Sequence, residues 1–146
     1  MKRFVFTLKA VYDIAVSNEK QQKNLLRKIE ERIRFLYGKL ESMLSELSDS
    51  RARCAMDVDA GTDALRMAQY ARYFESREEL IAAQKQSIAL AEKEREKIIE
   101  ALVAIRKEIK SLESLREKQY EEYLAEEKRE QEQAIGDVVS YQVASK

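Results

Sequence analysis

The sequence has 146 residues, of which 37% are charged, with 27 Lys and Arg balanced by 27 Asp and Glu. The resulting net charge of zero argues against a nucleic-acid-binding module, which requires a basic excess or a basic face. The absence of histidine removes the commonest general base and metal ligand.

The composition is typical of long helices rather than sheets. There is no proline, where average usage would give about seven, and glycine occurs only three times. A strand-rich fold would need turn residues that are missing here. No stretch approaches the ~18 apolar residues of a membrane span, and the apolar run at the N-terminus is too short for a signal peptide. The single Cys54 fits a cytosolic setting.

A heptad pattern dominates the first part of the chain. Apolar residues recur there at alternating spacings of three and four, at Leu26, Ile29, Ile33, Leu36, Leu40, Met43 and Leu47. Such a stripe, called the seam below, faces a partner helix in a coiled coil. The same spacing extends back to Val5. It predicts one helix from about residue 3 to about residue 57, which continues through Gly38 because the seam keeps its phase there.

A turn is predicted at about residues 58–62. Gly61 can adopt the left-handed conformation that ends a helix. Thr62 is then expected to cap the next helix, with Asp63 in its first turn. A short connection between two long helices predicts an antiparallel hairpin.

The second helix carries a seam at the same spacing. Its positions are Met67, Tyr70, Phe74, Arg77, Ile81, Gln84, Ile88, Ala91, Arg95, Ile98, Leu102, Ile105, Ile109 and Leu112. The helix is expected to span about residues 63–135, with Gly136 as its stop and a frayed tail over 136–146.

The fold class is therefore all-α, a long two-helix antiparallel coiled coil, or α-hairpin, forming a single domain over residues 1–146. A parallel homodimer would satisfy the same seams, so a monomeric hairpin is the expectation that sedimentation would test. Polar residues at seam positions have two interpretations. They either snorkel to the wet edges or fix the register of the two helices. They are Glu19, Gln22, Arg77, Gln84 and Arg95.

No motif in the sequence indicates catalysis. It contains no Gly-rich phosphate loop, no paired Cys or His spacing and no nucleophile elbow. The many carboxylates are expected on solvated helix faces, whereas catalytic acids need a concave, partly desolvated site. We therefore expect no enzymatic activity, no cofactor, no metal and no small-molecule ligand.

Two apolar groups are predicted to bind partner proteins. Tyr73 and Leu80 lie beside the seam of the second helix, on a surface otherwise covered in charge. Tyr120, Tyr123 and Leu124 lie where the second helix is expected to run about twenty residues past the start of the first. Nothing within the hairpin is expected to cover them.

Three stretches resemble the FliJ-type flagellar export chaperones. They are the opening FVFTLKAVYD at residues 4–13, QYARYF at 69–74 and the charged YEEYLAEEKREQEQ at 120–133. The resemblance covers nearly the whole chain, and it implies an antiparallel coiled coil similar to the γ stalk of rotary ATPases.

The resemblance also implies a function and a set of partners. The chain would be a stalk-like chaperone that links the hexameric export ATPase (FliI type) to the export gate in the membrane (FlhA type) and recycles substrate-specific export chaperones. Its place would be the cytoplasm, peripherally associated with the inner membrane at the flagellar base. The alternative is a structural stalk or scaffold of a related virulence-type secretion system.

Overall fold

The computed structural model describes residues 2–145, and within them the chain forms two helices and no strand. Helix α1 spans Lys9–Asp59 and helix α2 spans Ala64–Ala144. The two helices pack against each other through their seams as an antiparallel hairpin. The predicted fold class is confirmed.

Burial follows the heptad pattern on both helices. On α1, Ile29, Ile33 and Leu47 are buried, and the seam positions between them are half-buried. On α2, every seam position from Tyr70 to Leu112 is buried or half-buried. The two seams therefore meet, because a hydrophobic repeat of 3.5 residues keeps each seam facing the other helix.

Contacts divide the chain into two compact units. Unit 1 contains the residues up to Gln21 together with those from Leu102 onward, and unit 2 contains Gln22–Ala101. Both units draw on both helices, so each contains a stretch of the paired seams.

A buried polar residue, Gln84, forms a hydrogen bond across the hairpin in the core of unit 2. Ile29, Ile33 and Ala91 form a buried cluster, against which Leu26, Leu36 and Ile98 pack. Near it Gln84 is buried, and its Nε2 donates to the backbone carbonyl of Leu36 at 2.9 Å. This bond ties one position of α2 to one position of α1, as expected of a residue that fixes register.

The turn between the helices differs in detail from the prediction. Gly61 has a positive φ of 87°, a conformation that glycine adopts at less cost than residues with a Cβ. The cap of α2, however, is Asp63, whose Oδ1 accepts from the backbone N–H of Arg66 at 2.8 Å. The Thr62 hydroxyl is buried and has no hydrogen-bond partner among the described residues. The carboxylate caps because it is an acceptor at the positive end of the helix dipole.

The core of unit 1 contains apolar residues from both segments of its chain, before Gln21 and after Ala101. Phe6 and Ala15 are buried on one side, and Leu102 and Leu112 are buried on the other. Unlike the prediction, α1 begins at Lys9 rather than near residue 3. Phe6 leads into it through a turn, in which its carbonyl accepts from the N–H of Lys9 at 3.3 Å.

The C-terminal boundary also requires correction. Helix α2 does not end at Gly136 but continues through the expected tail to Ala144. A glycine inside a helix costs only about 1 kcal/mol relative to alanine. No proline follows it, so nothing in the sequence forces a stop. Residues 128–145 are all exposed, and we call this part of α2 the C-terminal arm.

Candidate interaction surfaces

An aromatic cluster in unit 2 lies just after the turn. The rings of Tyr70 and Phe74 stack with their centroids 5.9 Å apart, and Tyr73 meets Phe74 edge-on at 6.0 Å. The Tyr70 hydroxyl donates to the Asp57 carboxylate on α1. This carboxylate also forms an ion pair with Arg66 at 3.3 Å. The cluster therefore fastens the start of α2 to the end of α1.

Tyr73 is engaged within the hairpin rather than freely exposed. Its ring is half-buried, and its hydroxyl accepts from the buried Ser50 Oγ at 3.3 Å. The guanidinium of Arg77 lies over the ring, 5.1 Å from its centroid. The hydrogen bond from Ser50, followed by the nearby charge of Arg77, lowers the pKa of Tyr73 from its usual value.

A groove about 450 Å³ in volume contains Leu80 on one wall. Its floor and walls combine aliphatic and small side chains with a few charged ones: Lys39, Ser42, Met43, Glu46, Arg77, Leu80, Ala83, Gln84 and Ser87. We call it the Leu80 groove. Leu80 is 48% exposed, and three of the other lining residues, Ser42, Ala83 and Ser87, are small, so the groove has room for an apolar side chain from another molecule.

Tyr73 lines a different cavity, nearer the turn. This cavity has a volume of about 380 Å³ and is bounded by Ser50, Arg53, Arg66, Gln69, Tyr70 and Tyr73. The two residues predicted to act together, Tyr73 and Leu80, are therefore assigned to neighbouring hollows of unit 2. Arg77 belongs to the Leu80 groove and also covers Tyr73, so it connects the two.

In unit 1, the rings of Tyr120 and Tyr123 are not bare as predicted. They stack on one another with centroids 6.3 Å apart. Phe4 meets them at 5.1 Å and 5.5 Å. The expectation that nothing within the hairpin covers them is wrong. The chain before α1 leaves the helical path and lays an aromatic ring on α2, which removes apolar surface from water.

The segment that provides this cover is called the N-terminal strap and comprises residues 2–7. It was not predicted as a separate element, because the heptad spacing continues through Val5 and Leu8 as if the helix did too. The two phenylalanines at positions 4 and 6 were the available signal. An aromatic at every second residue suits an extended chain better than a helix.

Beyond the strap, α2 has little cover. Leu124 is 44% exposed, and the C-terminal arm exposes a series of large apolar residues. These are Ile135, Val138, Val139, Tyr141 and Val143. An unpaired helix of this length is marginal in water, and the arm buries none of its described side chains.

Three tyrosine hydroxyls donate to carboxylates on the opposite helix. Tyr12 donates to Glu113 at 3.2 Å in unit 1. In unit 2, Tyr37 donates to Glu92 at 2.5 Å, and Tyr70 donates to Asp57 as described above.

These contacts raise the pKa of all three tyrosines. For Tyr12 the main cause is burial, followed by the bond to Glu113. For Tyr37 and Tyr70 the main cause is the hydrogen bond to the carboxylate, which the neutral phenol donates and the phenolate cannot.

Alkaline pH is therefore expected to destabilise the hairpin. Each of these tyrosines has a higher pKa in the folded state than in the unfolded state. Its contribution to the free energy of unfolding is therefore complete below the unfolded pKa of 10.0 and is lost as the pH rises through the folded pKa. Thermal unfolding should show a larger loss between about pH 9 and about pH 11 for the natural protein than for its Tyr12→Phe, Tyr37→Phe, Tyr70→Phe triple variant. Tyr73, whose pKa is lowered, contributes with the opposite sign in both proteins. Equal losses would contradict the assignment.

The described residues contain no cluster of three or more His, Cys, Asp or Glu arranged to hold a metal ion. Among them there is also no helix long and apolar enough to cross a membrane. The features that stand out on both units are partly exposed aromatic and aliphatic side chains.

Comparison with known proteins gives one match, to a family of flagellar proteins. The family model described as "Flagellar FliJ protein" matches residues 4–146. No curated protein and no solved structure matches the chain. Because the match covers nearly the whole chain, including both helices and the arm, the chain belongs to the FliJ family, and it is a flagellar export-related protein.

Proposed function

We propose that this protein is a stalk-like component of the type III export ATPase complex and a chaperone of flagellar export. In this role it links the hexameric export ATPase to the export gate and helps to recycle the substrate-specific export chaperones. The observation that carries the proposal is the C-terminal arm, a long helix with no partner along it, in a chain of the FliJ family. The match to a flagellar family favours this system over the virulence-type alternative.

The ATPase contact is proposed for unit 1, at Tyr120, Tyr123, Leu124 and the arm that follows. These residues combine stacked aromatic rings with an aliphatic side chain that is 44% exposed. Aromatic residues of this kind dominate the energetics of protein interfaces. The arm would gain order from a ring around it, since alone it is marginal as a helix.

The gate contact is proposed for the Leu80 groove of unit 2, with Tyr73 beside it. Leu80 offers exposed aliphatic surface, and Ala83 and Ser87 are small enough to let another chain approach closely. Tyr73 is half-buried and Leu80 is 48% exposed, so Leu80 is the principal anchor and Tyr73 flanks it.

The remaining parts of the proposal concern state and place. We propose a monomer that acts in the cytoplasm, peripherally associated with the inner membrane at the flagellar base. Its partners are proteins, and no nucleic acid or small-molecule ligand is part of the mechanism. A protein that bridges a ring and a gate needs binding surfaces and no chemistry of its own.

The gate contact is tested by truncating its anchor. Leu80→Ala, alone and with Tyr73→Ala, is expected to weaken binding of the purified gate protein in a direct titration, while helicity by circular dichroism stays the same. The matched control is Leu90→Ala on the same helix, which removes a more exposed leucine (63%) outside the groove.

Each result has a defined meaning. A loss with Leu80→Ala but not with Leu90→Ala supports the groove as the gate contact. Equal affinity for all variants, or an equal loss at both leucines, would rule the groove out. Because Tyr73 also accepts a hydrogen bond from Ser50, the single Leu80 variant is decisive wherever the double variant melts early.

A further inference from the structure

The N-terminal strap contacts one short stretch of α2 in the way a bound peptide would. The Phe4 ring lies 5.1 Å from Tyr120 and 5.5 Å from Tyr123. Two residues before Phe4, the carbonyl of Lys2 accepts from the Tyr123 hydroxyl at 2.8 Å. An aromatic ring and a backbone carbonyl are thus both recognised by the same tyrosine.

A second polar contact fixes the other end of the strap. The Nε2 of Gln119 donates to the Thr7 hydroxyl at 3.1 Å, and the N–H of Thr7 donates to Gln119 Oε1 at 3.5 Å. The α2 surface formed by Gln119, Tyr120 and Tyr123 therefore contacts a ring, a carbonyl and a backbone N–H of a non-helical segment. We call it the strap site.

The strap is held loosely compared with the helices. Its polar contacts to α2 are all exposed to solvent, where hydrogen bonds contribute little net stability. Phe6 is its one buried side chain among the described residues, while Val5 is 72% exposed. The described strap has a single backbone–backbone hydrogen bond, from Lys9 N–H to the Phe6 carbonyl. Segments with few buried contacts open at low free energy.

We propose that the strap site is a docking site for an extended partner segment and that the strap occupies it in cis. The partner segment carries an aromatic or large aliphatic side chain two residues from a free backbone carbonyl, as Phe4 and Lys2 do. The inference rests on the proposed ATPase contact, because Tyr120 and Tyr123 belong both to that contact and to the strap site. It adds that the ATPase hexamer must displace the strap in order to bind.

Occupation in cis makes the strap a regulator of affinity. When the binding-competent state is only partly populated, the apparent affinity falls by the fraction that is open. A strap open about a tenth of the time would weaken binding about tenfold, and freeing it would restore that factor. A partner that lacks a strap-like segment would gain nothing from the release.

The test measures binding of the full chain to the purified hexameric export ATPase. Phe4→Ala removes the ring that covers the strap site and is expected to tighten binding up to about tenfold. Val5→Ala is the matched control, since it truncates the adjacent, exposed strap residue and should bind as the natural protein does. Thr7→Val changes only the strap: it loses the hydroxyl that bonds to Gln119 and leaves the strap site on α2 intact, so it should tighten binding by a smaller factor.

Unchanged or weaker binding by both Phe4→Ala and Thr7→Val would overturn the proposal. Tightening by Val5→Ala equal to that of Phe4→Ala would also overturn it. Thermal unfolding identifies a Phe4→Ala protein that fails to fold, and the milder Thr7→Val then decides.

A further variant separates this inference from the proposed function. Tyr120→Ala with Leu124→Ala should lose ATPase binding if the contact is where we propose it. Loss in that variant without any gain in Phe4→Ala leaves the ATPase contact standing and removes the cis occupation. No loss in that variant removes the contact itself, and the strap proposal falls with it.

Discussion

Replacing Ile33 with Asp is expected to lower the free energy of unfolding by about 3–5 kcal/mol. Ile33 is 5% exposed and belongs to the buried cluster with Ile29 and Ala91. The substitution removes the apolar contacts and places a carboxylate between two helices, where the cluster offers it no cation. Thermal and denaturant unfolding would measure the loss.

The control is an equivalent change two residues away. Phe35→Asp also replaces a large apolar residue by a carboxylate, but Phe35 is 69% exposed, so the expected change is within about 0.5 kcal/mol. In the other helix, Ile105→Asp should cost less than Ile33→Asp, because Ile105 is half-buried. Lys28→Ala and Lys107→Ala, at exposed positions, should each change stability by less than about 0.5 kcal/mol. Equal losses at buried and exposed sites would mean that the seam is wrongly assigned.

The seams could be predicted because the heptad pattern carries its own geometry. Apolar residues spaced three and four apart fall on one helix face whatever lies around them. Ile29, Ile81 and Leu112 were assigned by spacing alone, and all are buried. Gly38 was expected inside α1, and the helix does continue through it. Its cost of about 1 kcal/mol is small beside the packing on both sides.

The ends of the helices could not be predicted in the same way. At the N-terminus, two tendencies compete: Val5 and Leu8 continue the helical spacing, whereas Phe4 and Phe6 gain cover only if the chain is extended. The outcome depends on which rings lie opposite on α2, and that is a tertiary fact. Thr62 and Asp63 are both good caps by type, so their order could not be decided before the backbone geometry of the turn was known.

The candidate surfaces show the same division. Leu80 is predicted to lie beside the seam and to be partly exposed, and it is 48% exposed, since its place beside the seam follows from spacing. Tyr73 was placed on the same side by the same reasoning, but Ser50 and Arg77 engage it. The hydroxyl of a tyrosine can find partners across the hairpin that a leucine cannot, and heptad spacing contains no information about them.

Ending the chain after Glu127 is expected to abolish most of the stimulation of ATP hydrolysis by the export ATPase while leaving the melting of the hairpin unchanged. Residues 128–145 are all exposed, so their removal takes no buried side chain from either unit. Surface changes away from packing and caps are usually within about 0.5 kcal/mol. Stimulation should fall because the arm, as proposed above, orders within the ring.

A shorter chain provides the comparison. Ending it after Lys118 also removes Tyr120 and Tyr123, and with them the surface that covers Phe4. That chain should melt at a lower temperature and lose ATPase binding altogether, whereas the chain ending at Glu127 should still bind through the tyrosines. The two truncations together separate binding by the tyrosines from stimulation by the arm.

Unchanged stimulation by a truncated chain would also show where the ATPase contact lies. If the chain ending at Glu127 stimulates hydrolysis as well as the full chain does, the arm has no part in it, whatever its exposed Ile135 and Val139 bind. If the chain ending at Lys118 stimulates as well, the whole ATPase contact lies elsewhere. The turn around Gly61 would then be the next region to test, because the cavity beside it combines the half-buried rings of Tyr70 and Tyr73 with two cationic side chains, Arg53 and Arg66.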